Sequence, residues 1–371
     1  MKILHVETGM HLYGGAQQVA YLLDGLALRG IENVLVCPPG AAIGAKFRGT
    51  GVKVVEVACG GDVDLGFIFR LKRVIERERP QLVHLHSRRG ADVLGGLAAR
   101  LAGVPAVLSR RVDNPEAGWW ARLKYRQYAR VICISEGIAA VLRAEGVDAA
   151  RIRVVRSVVD APAWTSPAPR AEFLAEFGLP ANRPVTGVVA QLIERKGHRV
   201  LFEALARLAP GRRPLLICFG QGPQRDALEA EAARLGLTDD VRFAGFRTDL
   251  PRWLGCLDLL VHPAYMEGLG VSLLQAAAAG VPIIASRAGG MPEAVRDGEN
   301  GLLVPPGDVG ALQAALERVL GDDALRLQLA RGGPALIARE FSMDAMVEGN
   351  LTVYREVLGT RTLSESPTSL P

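Results

Sequence analysis

The sequence predicts an α/β protein made of two doubly wound, Rossmann-like domains that face a cleft. Three observations carry this prediction. Short apolar strands alternate with longer amphipathic stretches, which is the pattern of parallel sheets covered by helices. A length of 371 residues suits two ordinary domains, and a hydrophobic fraction of 49% lets each half bury a core. A proline-rich segment separates the two halves.

The sequence predicts seven strands in the first half of the chain and six in the second. They are residues 2–7, 33–37, 52–57, 81–86, 105–109, 130–134, 152–156, 185–190, 214–219, 241–244, 257–261, 282–285 and 302–304. Doubly wound sheets bind their ligands outside the carboxyl ends of the strands. The loops that follow these strands are therefore where a site is expected.

Domain boundaries follow from prolines and from composition. Residues 160–169 contain three prolines and should resist both helix and central strand, so 160–183 is expected to hold a linker and the start of the second domain. The domains then cover residues 1–159 and 184–342. Residues 343–358 have the pattern of a last helix, and 359–371, rich in Ser, Thr and Pro, are predicted to be a disordered tail.

Charge is uneven between the halves. Residues 1–159 carry 23 Lys and Arg against 14 Asp and Glu, a net charge of +9, whereas the remainder has a net charge of −4. An acidic partner for the first half is therefore expected. Nucleic acid is not expected to be that partner, because no nucleic-acid-binding signature accompanies the charge.

Cysteine usage and the N-terminus indicate a cytoplasmic protein. The five cysteines are scattered, with no Cys-x-x-Cys pair, which favours neither structural zinc nor a disulfide framework. The first residues lack the layout of a signal peptide, and no apolar run has the length of a spanning helix.

The stretch from 258 to 304 is the most informative of the chain. A buried strand leads to Glu267, to the turn Gly268-Leu269-Gly270 and then to an Ala-rich helix that stops at Gly280. Glycines before a helix let a ligand approach backbone N–H groups, and the helix dipole there favours a phosphate. Gln275 lies eight residues beyond Glu267, about 12 Å at a helical rise. The two side chains could thus contact opposite ends of a phosphorylated nucleoside.

Other strand-end loops carry residues suited to the same ligand. Lys196, in the loop after strand 185–190, offers a cation to the charge that builds up on a leaving diphosphate. His86 ends strand 81–86, and Gly14-Gly15 follow the first strand without forming a dinucleotide fingerprint.

The order and spacing of these elements resemble the retaining glycosyltransferases of family 4, which have the two-domain GT-B fold. The resemblance covers nearly the whole chain and is strongest in the second half. It implies transfer of a sugar from a UDP- or GDP-linked donor to a hydroxyl acceptor, with retained anomeric configuration and without a metal or other cofactor. It also implies that residues 1–159 bind the acceptor, that 184–342 bind the nucleotide sugar, and that helix 343–358 crosses back to the first domain.

The resemblance also implies roles for single residues. Glu267, Lys196 and His86 would be catalytic. The donor would be bound by Gly14, Gly15, Gln191, Arg195, Gly220, Gly222, Phe246, Gly268, Leu269, Gly270 and Gln275. Two positions depart from the family pattern, because Gln275 replaces a glutamate that binds ribose and Gln191 replaces an arginine directed at the diphosphate. A neutral amide still accepts a hydroxyl hydrogen bond, but more weakly than a carboxylate.

A basic, aromatic stretch in the first half suggests an acceptor. Arg88, Arg89 and Arg111 follow strands and suit a phosphorylated acceptor, because the guanidinium fork matches phosphate geometry. Aromatic and basic residues alternate from Trp119 to Arg130, which suits an anionic membrane at the cytoplasmic face of the inner membrane, or equally a solvated helix with its aromatics inward. The hypothesis for the acceptor is a cell-envelope glycolipid, such as lipopolysaccharide core, or another polysaccharide precursor.

Two other functions stay open. Gln191 and Gln275 are compatible with a catalytically weak nucleotide-sugar-binding protein of the same fold. A nicotinamide-dependent dehydrogenase would also use a doubly wound domain, although the missing Gly-x-Gly-x-x-Gly fingerprint counts against it.

Overall fold

The computed structural model describes residues 1–12, 14–86 and 90–364, with side chains as far as Gly359. The chain forms two compact units. One contains Met1–Ser157 together with Met343–Pro371, and the other contains Val158–Ser342. The sequence places the boundary at 159/160, and the structure divides the chain two residues earlier.

The first unit is built on a parallel sheet, which has seven strands within the described ranges. They are β1 (Lys2–Val6), β2 (Glu32–Cys37), β3 (Lys53–Glu56), β4 (Leu82–Leu85), β5 (Ala106–Arg110), β6 (Arg130–Cys133) and β7 (Ile152–Val154). Their order in the sheet is β3-β2-β1-β4-β5-β6-β7. The chain therefore changes direction across the sheet between β1 and β4, where His5 pairs with His84 in register.

Helices cover this sheet because each has one apolar face. They are α1 (Gly14–Ala27), α2 (Ala42–Phe47), α3 (Gly66–Glu78), α4 (Gly96–Leu101), α5 (Gly118–Tyr125) and α6 (Glu136–Ala144). A π-helical turn, Ala91–Gly95, precedes α4. Ser135 caps α6 by accepting a hydrogen bond from the Ile138 N–H, as its position before the helix predicts.

The second unit repeats the architecture with six parallel strands. They are β8 (Val185–Val189), β9 (Leu215–Phe219), β10 (Val241–Gly245), β11 (Leu259–His262), β12 (Ile283–Ser286) and β13 (Gly301–Val304), in the order β10-β9-β8-β11-β12-β13. Its helices are α7 (Arg170–Glu176), α8 (His198–Arg207), α9 (Arg225–Arg234), α10 (Leu250–Trp253), α11 (Val271–Ala278), α12 (Met291–Ala294), α13 (Val309–Gly321) and α14 (Asp323–Glu340). The direction of winding changes between β8 and β11, which marks the crevice where such a sheet binds ligands.

The proline-rich segment is more ordered than the sequence predicts. Ala161–Trp164 form a 3-10 turn with proline in its first positions, where no intrahelical N–H is needed, and Trp164 is buried. The Ala168 N–H donates to Arg252 O at 2.8 Å, and α7 begins at Arg170. Much of the expected linker 160–183 is therefore packed within the second unit.

The last helix, α15 (Met343–Ser364), belongs to the first unit. Arg29, in the turn after α1, binds Asp344 at 2.8 Å and Glu348 at 2.7 Å, and Tyr354 is fully buried. The predicted disordered tail is wrong for residues 359–364, which are helical: a single glycine costs about 1 kcal/mol in a helix and the next proline is Pro367. Residues 365–371 lie outside the described part of the chain.

Candidate functional site

The site in the second unit is built around a buried ion pair. Lys196 follows β8 and Glu267 follows β11, the two strands that flank the change in winding. Lys196 Nζ contacts Glu267 Oε2. Both side chains are mostly removed from water, with 9% and 19% exposure. Two residues that the sequence singles out separately thus form an ion pair at the edge of the sheet where ligands are expected.

The Glu267 carboxylate is held in its charged form. Burial raises its pKa, but a hydrogen bond from His262 and the charge of Lys196 outweigh burial, so the pKa lies well below its usual range. The His262 Nε2 atom lies 3.2 Å from Oε2, and the Gly268 N–H donates to Oε1 at 3.2 Å. The group therefore stays an acceptor-only carboxylate at neutral pH.

Two further histidines lie beside this pair and were not predicted from the sequence. His262 is the last residue of β11 and His198 the first of α8, and both are buried. Burial lowers the pKa of both, to about 4 for His198, so both rings are neutral at pH 7. Neither ring nitrogen of His198 has a hydrogen-bond partner among the described residues. The available signal was their position, one at the end of a strand and the other at the start of a helix.

Glycines lock the loops that carry Lys196 and Glu267. Gly197 has φ of 71°, and a Cβ atom there would lie 2.0 Å from Pro263 O. Gly289 has φ of 55°, and a Cβ atom there would lie 2.1 Å from Glu267 O. The Gly290 N–H donates to Glu267 O at 2.9 Å. At both glycines the neighbouring backbone is too close to leave room for a side chain. These close contacts fix the loops that carry Lys196 and Glu267.

The glycine turn before α11 presents backbone groups. Gly270 is the N-cap of α11, in the left-handed conformation with φ of 87°. The Leu269 side chain is in the core at 1% exposure, so only its backbone could contact a donor. The helix starts at Val271, so the span from Glu267 to Gln275 is only partly helical and the 12 Å estimate, which assumes a continuous helix, does not apply. Gln275 lies half-buried in the second turn of α11.

Gly220 and Gly222 serve the packing of the loops. A Cβ atom on Gly220 would lie 1.9 Å from Ala190 O, and one on Gly222 would lie 2.4 Å from Leu192 O. Glycine is therefore required there whether or not a ligand binds, and the donor contact stays a prediction. Gln191 and Arg195 are exposed on the neighbouring loop, unlike the buried Lys196. Phe246, next to Gly245 at the end of β10, is 52% exposed.

His86 belongs to a buried histidine cluster in the first unit. The rings of His5, His84 and His86 place one nitrogen each within 4.8 Å of one another, close enough for a metal ion. Protein groups already use most of these nitrogens: His84 bonds Tyr354 Oη at 2.6 Å and Ser109 Oγ at 2.8 Å. The positive charge of Arg111 also lowers the pKa of His84 and His86, after burial and the neighbouring histidines. These contacts describe a hydrogen-bonded cluster better than a cation site.

The structure describes some, but not all, of the glycines and arginines that the sequence predicts to bind ligand in the first unit. Gly14 and Gly15 open α1, and no atom lies within 4 Å of a Cβ built on Gly14. The Arg111 side chain passes beside Gly15, and its Nε atom has no partner among the described residues. Burial lowers the pKa of Arg111 to about 10, which keeps it charged at neutral pH. Arg88 and Arg89 lie outside the described residues.

Part of the basic, aromatic stretch points inward. Lys124 is buried and binds Asp92 at 3.1 Å and Glu116 at 2.7 Å, while Tyr125 and Tyr128 are in the core. These three residues are therefore unavailable to a membrane, because buried carboxylates and apolar neighbours satisfy them. The exposed part of the stretch is Trp119, Arg122, Leu123 and Arg126.

Comparison with known proteins agrees with the fold. Residues 13–157 match the family described as "Glycosyl transferase 4-like domain", and residues 169–335 match "Glycosyl transferases group 1". The lipopolysaccharide core biosynthesis glycosyltransferase LpsE of Rhizobium meliloti (strain 1021) is 30% identical over 95% of this chain and 98% of its own. The 2-deoxystreptamine glucosyltransferase of Streptomyces kanamyceticus is 35% identical over 75% of this chain and 77% of its own. The crystal structure of Anabaena HepE in complex with UDP superposes with a TM-score of 0.84 and 22% identity, over 96% of this chain and 100% of that one.

Fold and sequence together define a glycosyltransferase with the GT-B fold. The chain belongs to glycosyltransferase family 4, as the motifs around Glu267 and Lys196 indicated. This membership sets the dehydrogenase alternative aside. Within residues 1–12, 14–86 and 90–364, no helix combines the length and apolar character needed to cross a bilayer.

Proposed function

We propose that the protein transfers a sugar from a nucleoside diphosphate donor to a hydroxyl acceptor, with retention of anomeric configuration. The observation that carries this proposal is the buried Lys196–Glu267 pair at the change in winding of the second sheet. It places a cation and a carboxylate side by side, next to the N-terminus of α11. The cation can bind a diphosphate, and the carboxylate can accept hydrogen bonds from sugar hydroxyls.

Lys196 and the tip of α11 would bind the diphosphate. The ammonium group has three N–H donors, so one bond to Glu267 leaves two for phosphate oxygens. The turn at Gly268 to Gly270 leads into the positive end of the helix dipole. This charge would stabilise the leaving nucleoside diphosphate as the glycosidic bond breaks, and for that reason we propose a metal-independent reaction without a further cofactor.

The remaining donor contacts follow from exposure. Gln275 would accept a hydrogen bond from a ribose hydroxyl, and the exposed ring of Phe246 would lie against the base. Glu267 would accept a hydrogen bond from the transferred sugar. In the retaining reaction, the leaving phosphate oxygen takes the proton of the acceptor hydroxyl on the same face, so no separate protein base is required.

The acceptor would be a cell-envelope glycolipid such as lipopolysaccharide core, or another polysaccharide precursor. The R. meliloti relative, which carries the name of a core biosynthesis enzyme, supports this class. Arg111 supports it as well, because a charged guanidinium whose Nε atom has no hydrogen-bond partner among the described residues suits a phosphate on the acceptor.

A screen with purified protein tests the donor. Thermal unfolding would be measured with UDP-glucose, UDP-galactose, UDP-N-acetylglucosamine and GDP-mannose, followed by sugar release and transfer to lipid extracts. We expect one donor to raise the melting temperature through linkage and to turn over. UDP-linked donors come first because the structurally similar HepE was solved with UDP. The proposal fails if no donor stabilises the protein, or if Glu267→Ala and Lys196→Ala leave turnover unchanged.

A catalytically weak binding protein is the second candidate. Gln191 and Gln275 motivate it, since both positions are charged in the family pattern. Tight nucleotide-sugar binding without turnover on any acceptor extract would establish it in place of the transferase.

The acceptor class leads us to propose contact with an anionic membrane surface, at the cytoplasmic face of the inner membrane, through α5. Trp119 is 66% exposed and Leu123 57% exposed, and exposed Arg122 and Arg126 lie at helical spacing on the same side. Apolar and basic side chains on one helix face suit an anionic interface. Flotation with vesicles of phosphatidylglycerol, against vesicles of phosphatidylcholine, tests this. Trp119→Ser with Leu123→Ser should abolish flotation, and the control Leu327→Ser, exposed in the second unit, should not.

A further inference from the structure

His86 has an unused nitrogen in a buried position. It directly follows β4, beside β1, where the winding of the first sheet changes direction. The residue is 4% exposed, and its Nδ1 atom has no hydrogen-bond partner among the described residues. A buried polar atom left without a partner is costly, so a ligand group that satisfies it gains affinity. What that group can be depends on whether Nδ1 carries a proton.

A chain of two hydrogen bonds connects His86 to Asn33. His86 Nε2 lies 3.0 Å from His5 Nδ1, and His5 Nε2 lies 3.2 Å from Asn33 Oδ1. Asn33 is on β2, His5 on β1 and His86 just beyond β4, so three neighbouring strands supply the chain. All three residues are buried.

Asn33 determines which atom donates and which accepts in each of these two hydrogen bonds. Its Nδ2 donates to Ile31 O at 3.0 Å, which turns the amide oxygen towards His5. An amide oxygen only accepts, so His5 Nε2 must carry the proton. Burial lowers the pKa of His5 to about 3, which keeps the ring neutral and leaves Nδ1 a lone pair. His86 Nε2 must then donate to that lone pair.

We propose that Asn33 and His5 are positioning residues that hold His86 in the Nε2–H tautomer, with Nδ1 as a hydrogen-bond acceptor for a substrate hydroxyl. Such a nitrogen selects a group that donates, as a sugar hydroxyl does, and rejects a phosphate or carboxylate oxygen. The role of His86 towards substrate rests on the proposed function, whereas its tautomer does not.

Nitrogen-15 NMR of histidine-labelled protein tests the tautomer directly, because protonated and unprotonated ring nitrogens have well-separated shifts. We expect His86 to carry its proton on Nε2 and His5 to carry its proton on Nε2. A proton on Nδ1 of either ring in the wild-type protein overturns the proposal.

Two substitutions break the chain at different points. Asn33→Leu removes the oxygen that orients His5, and His5→Phe keeps a ring in place while removing the acceptor for His86. Both should convert His86 to a mixture of tautomers. The control is Asn350→Leu, at a buried asparagine of α15 whose Nδ2 donates to Met346 O at 2.9 Å. It should leave the His86 signals unchanged, and an unchanged His86 tautomer in both folded test variants would contradict the proposal.

Kinetics connect the tautomer to substrate. With the nucleotide sugar that turns over fastest in the donor screen, Asn33→Leu should lower kcat/KM about tenfold, the value of one hydrogen bond to a hydroxyl, and leave UDP binding unchanged. If the wild-type protein turns over no donor, the proposed function is rejected, while the NMR result on the tautomer still holds. Unaltered kcat/KM alongside a changed tautomer would reject the role towards substrate.

Discussion

Lys196 and Glu267 lie 71 residues apart in the chain, yet their charged groups meet in a mostly buried ion pair. A buried pair is seldom retained for stability alone, because desolvation offsets much of its attraction. Here it holds a cation and an acceptor at the edge of the sheet where doubly wound proteins bind ligands.

Removing the cation should weaken binding of the nucleotide. We expect Lys196→Met to lower the affinity for UDP about tenfold to a hundredfold, because a charged hydrogen bond to phosphate is lost. Isothermal titration calorimetry measures this. Arg199→Met removes one positive charge from an exposed position on α8 and should leave UDP affinity unchanged. Equal losses in both variants would indicate general electrostatics instead of a phosphate contact.

Restoring a carboxylate at position 275 should strengthen binding of the nucleoside. Charge-assisted hydrogen bonds are about twice as strong as neutral ones, so Gln275→Glu should raise UDP affinity about threefold to tenfold. The exposed Gln328→Glu adds the same charge elsewhere in the second unit. If Gln275→Glu binds UDP no better than wild type and the control, the ribose contact is wrongly assigned.

A methyl group at Gly289 should disturb the Glu267 loop. Gly289→Ala combines the strain of a positive φ with a contact at 2.1 Å from Glu267 O, whereas Gly298→Ala, with φ of 78°, meets nothing within 4 Å. We expect Gly298→Ala to cost about 1–2 kcal/mol of unfolding free energy and Gly289→Ala at least about 1 kcal/mol more, with loss of turnover. Denaturant unfolding of both variants decides this, and equal costs would show that the loop yields easily.

Stability should fall on mild acidification. Burial lowers the pKa of His5 to about 3 and of His198 to about 4. Between pH 6.5 and those values the unfolded chain binds protons that the folded protein does not, so stability rises with pH across this window. At pH 5 each such histidine should cost about 2 kcal/mol relative to pH 7.

Unfolding of His198→Phe at several pH values tests this account. The variant should lose less stability than wild type between pH 7 and pH 5. The control Leu327→Ala, at an exposed position without a titratable group, should follow the wild-type profile. A wild-type slope in His198→Phe would show that this ring is not the group that titrates.

Much of the fold is readable from the sequence, because its signals are local. The predicted strands agree with the observed ones within about two residues, since apolar runs between glycines and prolines mark them directly. Glu267 and Lys196 could be singled out as candidates because each follows such a strand. The extent of α15 was missed, since a lone glycine and polar residues resemble a tail until a proline intervenes.

The partners of the site residues could not be predicted. His5 contacts Asn33 and His86 from neighbouring strands, and His262 contacts Glu267 in the loop after its own strand. His198 opens a helix. No local pattern distinguishes these residues from ordinary core residues. The burial of Lys124 was equally hidden. Its position in a basic stretch suggests exposure, while Asp92 and Glu116, 32 and 8 residues earlier in the chain, bind it inside the protein.

The return of α15 to the first unit affects how the protein is made. Buried Val347, Leu351 and Tyr354 complete a hydrophobic interior whose other members precede the whole second unit, Val158–Ser342, in the chain. During translation the amino-terminal portion must therefore wait, with apolar surface uncovered, while the intervening unit emerges from the ribosome and folds. That surface is closed only when α15 has followed the second unit out of the ribosome.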